Sequence, residues 1–239
     1  KAGNSTQGFL FTEQARTTLN GIDISGWNYG IDLSKVAGDF VIIKATQGTT
    51  YKNAREHGDT AYYRKLADAA LKAGKLIGFY HFPNSSRGAV KEANYFYEAV
   101  KPYIGRAVLV LDWENNDQNN LKAGVSYAKK FLDRVYSLSG VKPLIYMSRS
   151  VTKEYNWSSV ANAGYGLWVA QYLYKYYDKP QVGYVNNPTL TSGGFGAWKK
   201  PTIYQYTSNG RLSGTNNTLD LDVFYGTRAD WLKLARSSK

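Results

Sequence analysis

The chain has no cysteine, two histidines and one methionine among its 239 residues. Without cysteine there are no disulfides and no thiolate metal sites. Two histidines, not at helical metal-binding spacing, predict no metal. No glycine-rich loop follows a strand at the spacing that cradles a phosphate or dinucleotide, so no cofactor is expected. Ser25 lacks a partner histidine on the pattern of a nucleophilic triad. No apolar run approaches the roughly 18–20 residues that span a bilayer. Acidic residues are also scarce, 18 against 30 Lys plus Arg, for a formal charge of +12. That balance predicts attraction to a polyanion, whether nucleic acid, anionic membrane or an acidic wall. The cations, Lys65, Lys72, Lys91, Lys129, Lys199, Lys200, Arg211 and Lys233 among them, form no long run. A diffuse field is expected, not a nucleic-acid groove.

Aromatic side chains, in contrast, are abundant: 21 Tyr and 6 Trp. They suit a cleft that stacks flat apolar faces and hydrogen-bonds from the ring edges, as sugars or bases require. Residues 1–20 show no apolar periodicity and no apolar stretch ending in a cleavage site, and read as an N-terminal extension. Residues 21–239 carry no Pro/Ser linker, repeat or low-complexity block and read as one domain. Strands are expected at Gly21–Trp27, Phe40–Gln47, Leu76–Pro83, Ala107–Glu114, Pro143–Ser148, Gly166–Tyr172, Thr202–Thr207 and Leu219–Phe224. Helical patterns cover about Asp59–Ala73, Arg87–Lys101, Leu121–Leu138 and Thr227–Arg236. Strands alternating with helices imply right-handed crossovers and a parallel sheet. Eight strands with both faces apolar predict an α/β fold, an irregular TIM-like β/α barrel with helices mainly on its first half.

The run Ala107–Leu111 ends in Asp112-Trp113-Glu114. Residues i and i+2 of a strand face one way, so Asp112 and Glu114 lie on one side, roughly 6–7 Å apart, with Trp113 on the other. Two crowded carboxyls cannot both ionise freely, so one pKa rises. A raised acid beside an ionised neighbour is what glycosidic cleavage needs, although a strand end can carry a surface acid pair with no function. The other strand ends place Asp23, Ser25, Lys44, Tyr80, His81, Tyr146, Ser148, Trp168, Gln171, Gln205, Tyr206, Asp220 and Asp222 at the same rim, where barrels carry their active sites. Several have blander readings. Asp23 can cap a turn before Trp27, His81 can be a satisfied core histidine, and Lys44 can pair with a rim carboxylate. Asp222 can be solvated, and Trp27, Trp113 and Trp168 can be core. Tyr146 and Gln205 suit hydrogen bonds to a ligand.

The ordered segments GIDIS (21–25), FVIIKATQG (40–48), GFYHF (78–82), LDWE (111–114), LIY (144–146), LWVAQY (167–172), YQY (204–206) and LDLDVF (219–224) together resemble the lysozymes of glycoside hydrolase family 25, the N-acetylmuramidases of bacteria and their phages. The resemblance implies cleavage of the β-1,4 bond between N-acetylmuramic acid and N-acetylglucosamine, with Glu114 as general acid and Asp112, Asp23 and Asp220 beside it. Tyr80, Tyr146, Trp168, Gln205 and Asp222 are the expected substrate contacts. Asn is frequent in the family at Asp222, and Asp at Asn53; these departures bear on cleft detail. The expected partners are bacterial peptidoglycan and, through charge, anionic wall polymers, with no nucleic acid. A monomer acting outside the cell or in the wall, as phage endolysin or bacterial autolysin, is expected. A glycan-binding barrel without activity is the alternative, but a lectin needs no proton donor.

Overall fold

The computed structural model describes residues 17–51, 57–114 and 120–239. Asn53 and residues 1–16 of the expected extension lie outside them. Apolar runs of β-branched, leucine and aromatic residues supply the central staves β2 (Phe40–Gln47), β4 (Leu76–Phe82) and β5 (Ala107–Asp112). Around them stand β1 (Leu19–Ile24), β6 (Leu144–Ser148), β7 (Leu167–Ala170), β9 (Ile203–Arg211) and β10 (Leu219–Phe224). Two-residue strands β3 (Thr50–Tyr51) and β8 (Gln181–Val182) pair with β2 and β9. The order β1-β10-β9-β7-β6-β5-β4-β2 closes through β1–β2 pairing into a barrel of eight staves. β1 begins two residues before the expected strand and ends at Ile24, where Ser25 caps a short 3₁₀ turn over Gly26–Asn28.

The sheet departs from the expected all-parallel arrangement. β10 is antiparallel to both neighbours, β1 and β9. Only residues 212–218 separate β9 from β10, too few for the dozen or more that a parallel crossover requires. The start of β10, not its end, therefore meets the C-terminal ends of the other staves.

Alternate side chains divide into two packing layers. Val41, Ile43, Ile77, Phe79, Leu109, Ile145, Val169, Leu221 and Val223 face outward against the helices. Phe40, Ile42, Val108, Val110, Leu144, Ile203 and Phe224 fill the barrel. Gly21 faces inward beside Phe40, whose ring lies 2.4 Å from where a Cβ would stand, so the position excludes any side chain. The floor is closed by Trp231, buried against Phe40 and Phe224 at ring-centroid distances of 4.7 and 5.2 Å, with its indole N–H donating to the Ile77 carbonyl at 3.1 Å.

Helices cover the first half, as expected. α1 (Tyr62–Lys72) buries Tyr62, Tyr63, Leu66, Ala67 and Ala70 on one face, and α2 (Ala89–Val100) buries Ala89, Ala93, Phe96 and Val100 at helical spacing. α3 (Asn120–Ser139) is not the continuous helix its pattern predicts, because Gly124 leaves helical geometry at φ 80°, a conformation that costs glycine little. Between the staves of the second half stand the short helices α4 (Arg149–Glu154), α5 (Ser158–Asn162) and α6 (Tyr174–Tyr177). The helix that carries Trp231, α7 (Arg228–Ala235), opens with a reciprocal Thr227–Asp230 cap.

Candidate active site

Inward-facing positions at the mouth put five carboxyls from three staves together. β1 gives Asp23, β5 and the residues after it give Asp112 and Glu114, and β10 gives Asp220 and Asp222. Register explains their convergence: Asp23 pairs with Asp220 across β1–β10, Asp222 with Gln205 across β10–β9, and Asp112 with Tyr146 across β5–β6. Asp23 and Asp112 are each 7 % exposed and Asp222 is fully buried, while Glu114 and Asp220 are half-buried. Asp222 is thus no solvated surface acid. Trp113 turns to the outer face and meets Trp157 edge-on at 6.3 Å, as strand alternation predicts.

The electrostatics follow from crowding in a dry place. Burial first, then the charge of Glu114, raises the Asp112 pKa well above the carboxylate range, with Lys44 opposing. Burial and the Asp222 charge raise Asp23 likewise. Burial followed by Asp23 pushes Asp220 up to about 10, and burial pushes Asp222 up to about 8. Asp112 lies against Glu114, and Asp23 against both Asp222 and Asp220, close enough for neighbouring carboxyls to share a proton. Even so, Asp112 Oδ1 and Asp222 Oδ2 are buried without a hydrogen-bond partner. Among the described residues no three His, Cys, Asp or Glu side chains are arranged to hold a metal ion.

A neutral frame holds these acids in place. The Gln205 amide donates to Asp23 Oδ2 at 2.7 Å, and its Oε1 accepts from Tyr146 at 2.7 Å and from Tyr172. The Trp168 indole donates to Asp222 Oδ1 at 2.8 Å, and its ring meets Tyr146 edge-on at 4.6 Å and Tyr80 at 6.4 Å. Burial and the neighbouring acids raise the Tyr80 phenol well above its usual range, so Tyr80 is a neutral donor. All nine residues expected at the site therefore meet at one mouth. They do not lie at one depth: Trp168 is 2 % exposed and Asp222 0 %. Tyr172 is a residue the sequence reading missed, although it follows Trp168 by four positions on the inward parity.

Other candidates have different fates. His81 is a satisfied core histidine: Thr46 Oγ1 lies 2.7 Å from Nδ1, Glu92 Oε1 lies 3.0 Å from Nε2, and Phe131 stacks on its ring at 4.9 Å. Burial lowers its pKa, with Glu92 opposing. Glu92, fully buried, also accepts from the Asn84 amide at 2.7 Å and from the Tyr127 hydroxyl. The Lys44 ammonium donates to Gln47 Oε1 at 2.7 Å and sits 4.5 Å from the centre of the Phe82 ring. Trp27 is no core residue but 91 % exposed, on the turn that Ser25, not Asp23, caps.

A barrel whose mouth gathers paired carboxyls, some held protonated, among neutral donors has the equipment of a glycoside hydrolase. Residues 22–215 match the family described as glycosyl hydrolases family 25. A lysozyme from Streptomyces globisporus is 32% identical over 236 residues, covering 92% of this chain and 72% of its own. The structure of a bacterial lysozyme from Streptomyces coelicolor superposes with a TM-score of 0.71 at 27% identity, over 92% of this chain and 98% of that one. A muramidase from Acremonium alcalophilum gives 0.65 at 25% identity, over 91% and 98%. The chain belongs to glycosyl hydrolase family 25 and is a lysozyme-type glycoside hydrolase, an enzyme of peptidoglycan hydrolysis.

Proposed function

We propose that the enzyme cleaves the β-1,4 bond between N-acetylmuramic acid and N-acetylglucosamine, with Glu114 protonating the leaving oxygen and retention through the substrate's 2-acetamido group. The observation that carries this reading is the orphaned, buried Asp112 Oδ1 next to a Glu114 that is open to the mouth. An acceptor buried without a donor is costly, and an acetamido N–H is a matching donor. The proton held between Asp112 and Glu114 passes from Glu114 to the glycosidic oxygen as the C1–O bond breaks. The acetamido oxygen closes on C1 from the other face, and Asp112, now carboxylate, offsets the positive charge of the ring so formed. Glu114 then takes a proton from water as the water opens that ring at C1. Both acids come from one stave, which favours assistance by the substrate over a protein nucleophile on the opposite sugar face.

Tyr80, Tyr146 and Gln205 are the proposed ligand contacts. Trp168 and Asp222 form the floor that fixes Asp23, and Asp23 and Asp220 set the field at the reacting carbon. Acids at the mouth repel a phosphate-lined ligand there, so the anionic partner of the basic exterior is a wall polymer, not nucleic acid. Among the described residues no helix is long and apolar enough to cross a membrane. We place the enzyme at the cell wall, secreted or released from phage-infected cells, as a monomer. Reducing-end analysis of digested peptidoglycan tests the bond, with N-acetylmuramic acid expected at the new ends; N-acetylglucosamine there overturns the assignment. Proton NMR of the first-formed product tests the mechanism. A β anomer is expected, and an initial α anomer means inversion.

A further inference from the structure

We propose that a cavity of about 520 Å³ beside the barrel mouth, lined by Arg87, Lys91 and Lys130, binds the phosphodiester groups of an anionic wall polymer. The inference rests on the reading of the enzyme as a wall hydrolase. Its starting point is where the acids are. Asp23, Glu92, Asp112, Glu114, Asp220 and Asp222 are buried or turned into the mouth, so at most 12 of the 18 acidic residues remain outside to oppose 30 Lys and Arg.

Within that basic exterior this cavity stands apart. Arg87 and Lys91 come from the start of α2 and the turn before it, Lys130 faces them from α3, and among the described residues no carboxylate is in the lining. None of the three cations is in a salt bridge among the described residues. Ser126 adds a hydroxyl. Glu92, the acid nearest in sequence, is turned away into the core, where His81, Asn84 and Tyr127 hold it. A second cavity with Lys142, Lys233 and Arg236 differs on these points: Asp230 is in its lining, and the Lys142 ammonium is engaged by the Ala163 carbonyl at 3.0 Å.

Position gives the first cavity its use. Arg87 stands five residues beyond the mouth end of β4, and α3 is the element that follows Glu114. A polymer held there lies alongside the glycan in the mouth. One guanidinium fork and two ammonium groups reaching in from two elements suit a tetrahedral anion approached from several sides, and a chain of phosphodiesters draws further on the surrounding field.

The experiment compares two triple variants of equal charge loss, Arg87→Gln/Lys91→Gln/Lys130→Gln in the cavity and Lys179→Gln/Lys199→Gln/Lys200→Gln on exposed loops elsewhere. Affinity for soluble polyglycerol phosphate is measured, then hydrolysis of walls with the polymer kept or removed, and of peptide-free glycan. The cavity variant is expected to bind polyglycerol phosphate about tenfold more weakly and the control less than about threefold. The cavity variant should lose rate only on polymer-bearing walls and keep the wild-type rate on peptide-free glycan. Equal weakening in both variants, or unchanged affinity, overturns the site in favour of a diffuse field. A deficit that persists on polymer-free walls and vanishes once stem peptides are removed also overturns it, assigning the cavity to carboxylates. Polyglycerol phosphate binding is read without hydrolysis, so a wild type inactive on every glycan would sink the muramidase reading separately.

Discussion

A lone buried carboxyl, Glu92, and the cluster of five at the mouth are treated in opposite ways in this barrel. Glu92 is fully buried and has three partners, the His81 ring, the Asn84 amide and the Tyr127 hydroxyl. The mouth acids instead face one another, and two of their oxygens have no partner. A buried carboxyl with all its partners ties elements together, here β4, α2 and α3. Unsatisfied buried charge raises pKa values and leaves acceptors for a ligand to fill. The difference separates a structural centre from the proposed catalytic one within a single core.

Substitutions can break that contrast, the largest effect being expected at the mouth. Glu114→Gln should lower turnover by about two orders of magnitude or more with an unchanged unfolding midpoint. Near-normal hydrolysis would show that the mouth acids are not the proton source. Glu92→Ala is expected to do the reverse, destabilising the fold by about 3 kcal/mol because three inward donors lose their acceptor. Turnover per folded molecule should stay near wild type, and urea unfolding with an intact midpoint would remove Glu92 from its structural role.

A subtler test uses pH. The Asp222 carboxyl is held up to about 8, above the ordinary aspartate value near 3.9. The folded enzyme keeps a proton that the unfolded chain has lost. That stabilising contribution is full below about pH 4 and is lost as pH rises through about 8. Thermal unfolding should therefore show a falling Tm over this window. Asp222→Asn keeps an acceptor for the Trp168 indole and removes a like charge from Asp23, so it should flatten the slope and add about 1 kcal/mol at pH 8. An unaltered slope would mean Asp222 is not the titrating group. The smallest effect is expected for Tyr146→Phe. Tyr172 still donates to Gln205, so kcat/KM should fall about fivefold or less, and a hundredfold fall would make Tyr146 part of the chemistry.

How much of this was visible in the chain depends on what each signal encodes. The runs expected as strands at Phe40–Gln47, Leu76–Pro83 and Ala107–Glu114 are apolar on both faces, and their strands emerge with the same starts and with ends within two residues. The alternation of Leu219–Phe224 marks Asp220 and Asp222 as sharing a face with Phe224, and that face is the interior. It does not reveal that Asp222 is sealed from water, since burial depends on the staves around it. The direction of β10 was readable only from the shortness of its connection to β9, a length signal outweighed by the strand–helix rhythm. Trp27 misleads for another reason: residue type says nothing of burial when a local turn, built here by Ser25 and Asn28, decides where the side chain points. Tyr172 was missed because the expected strand ended on it, while the observed one ends at Ala170.

Trp231 seals the floor from α7, with Phe40 and Phe224 packed around it. Among the described residues the barrel is in effect a flask, stoppered at the end away from the mouth. In the proposed mechanism substrate, departing sugar and the hydrolytic water share the mouth, because among the described residues buried aromatic rings fill the opposite end. As the proposed proton donor, Glu114 would be recharged through a passage that the bound glycan itself obstructs, so the proposed mechanism makes the departure of the first sugar the event that admits the hydrolytic water.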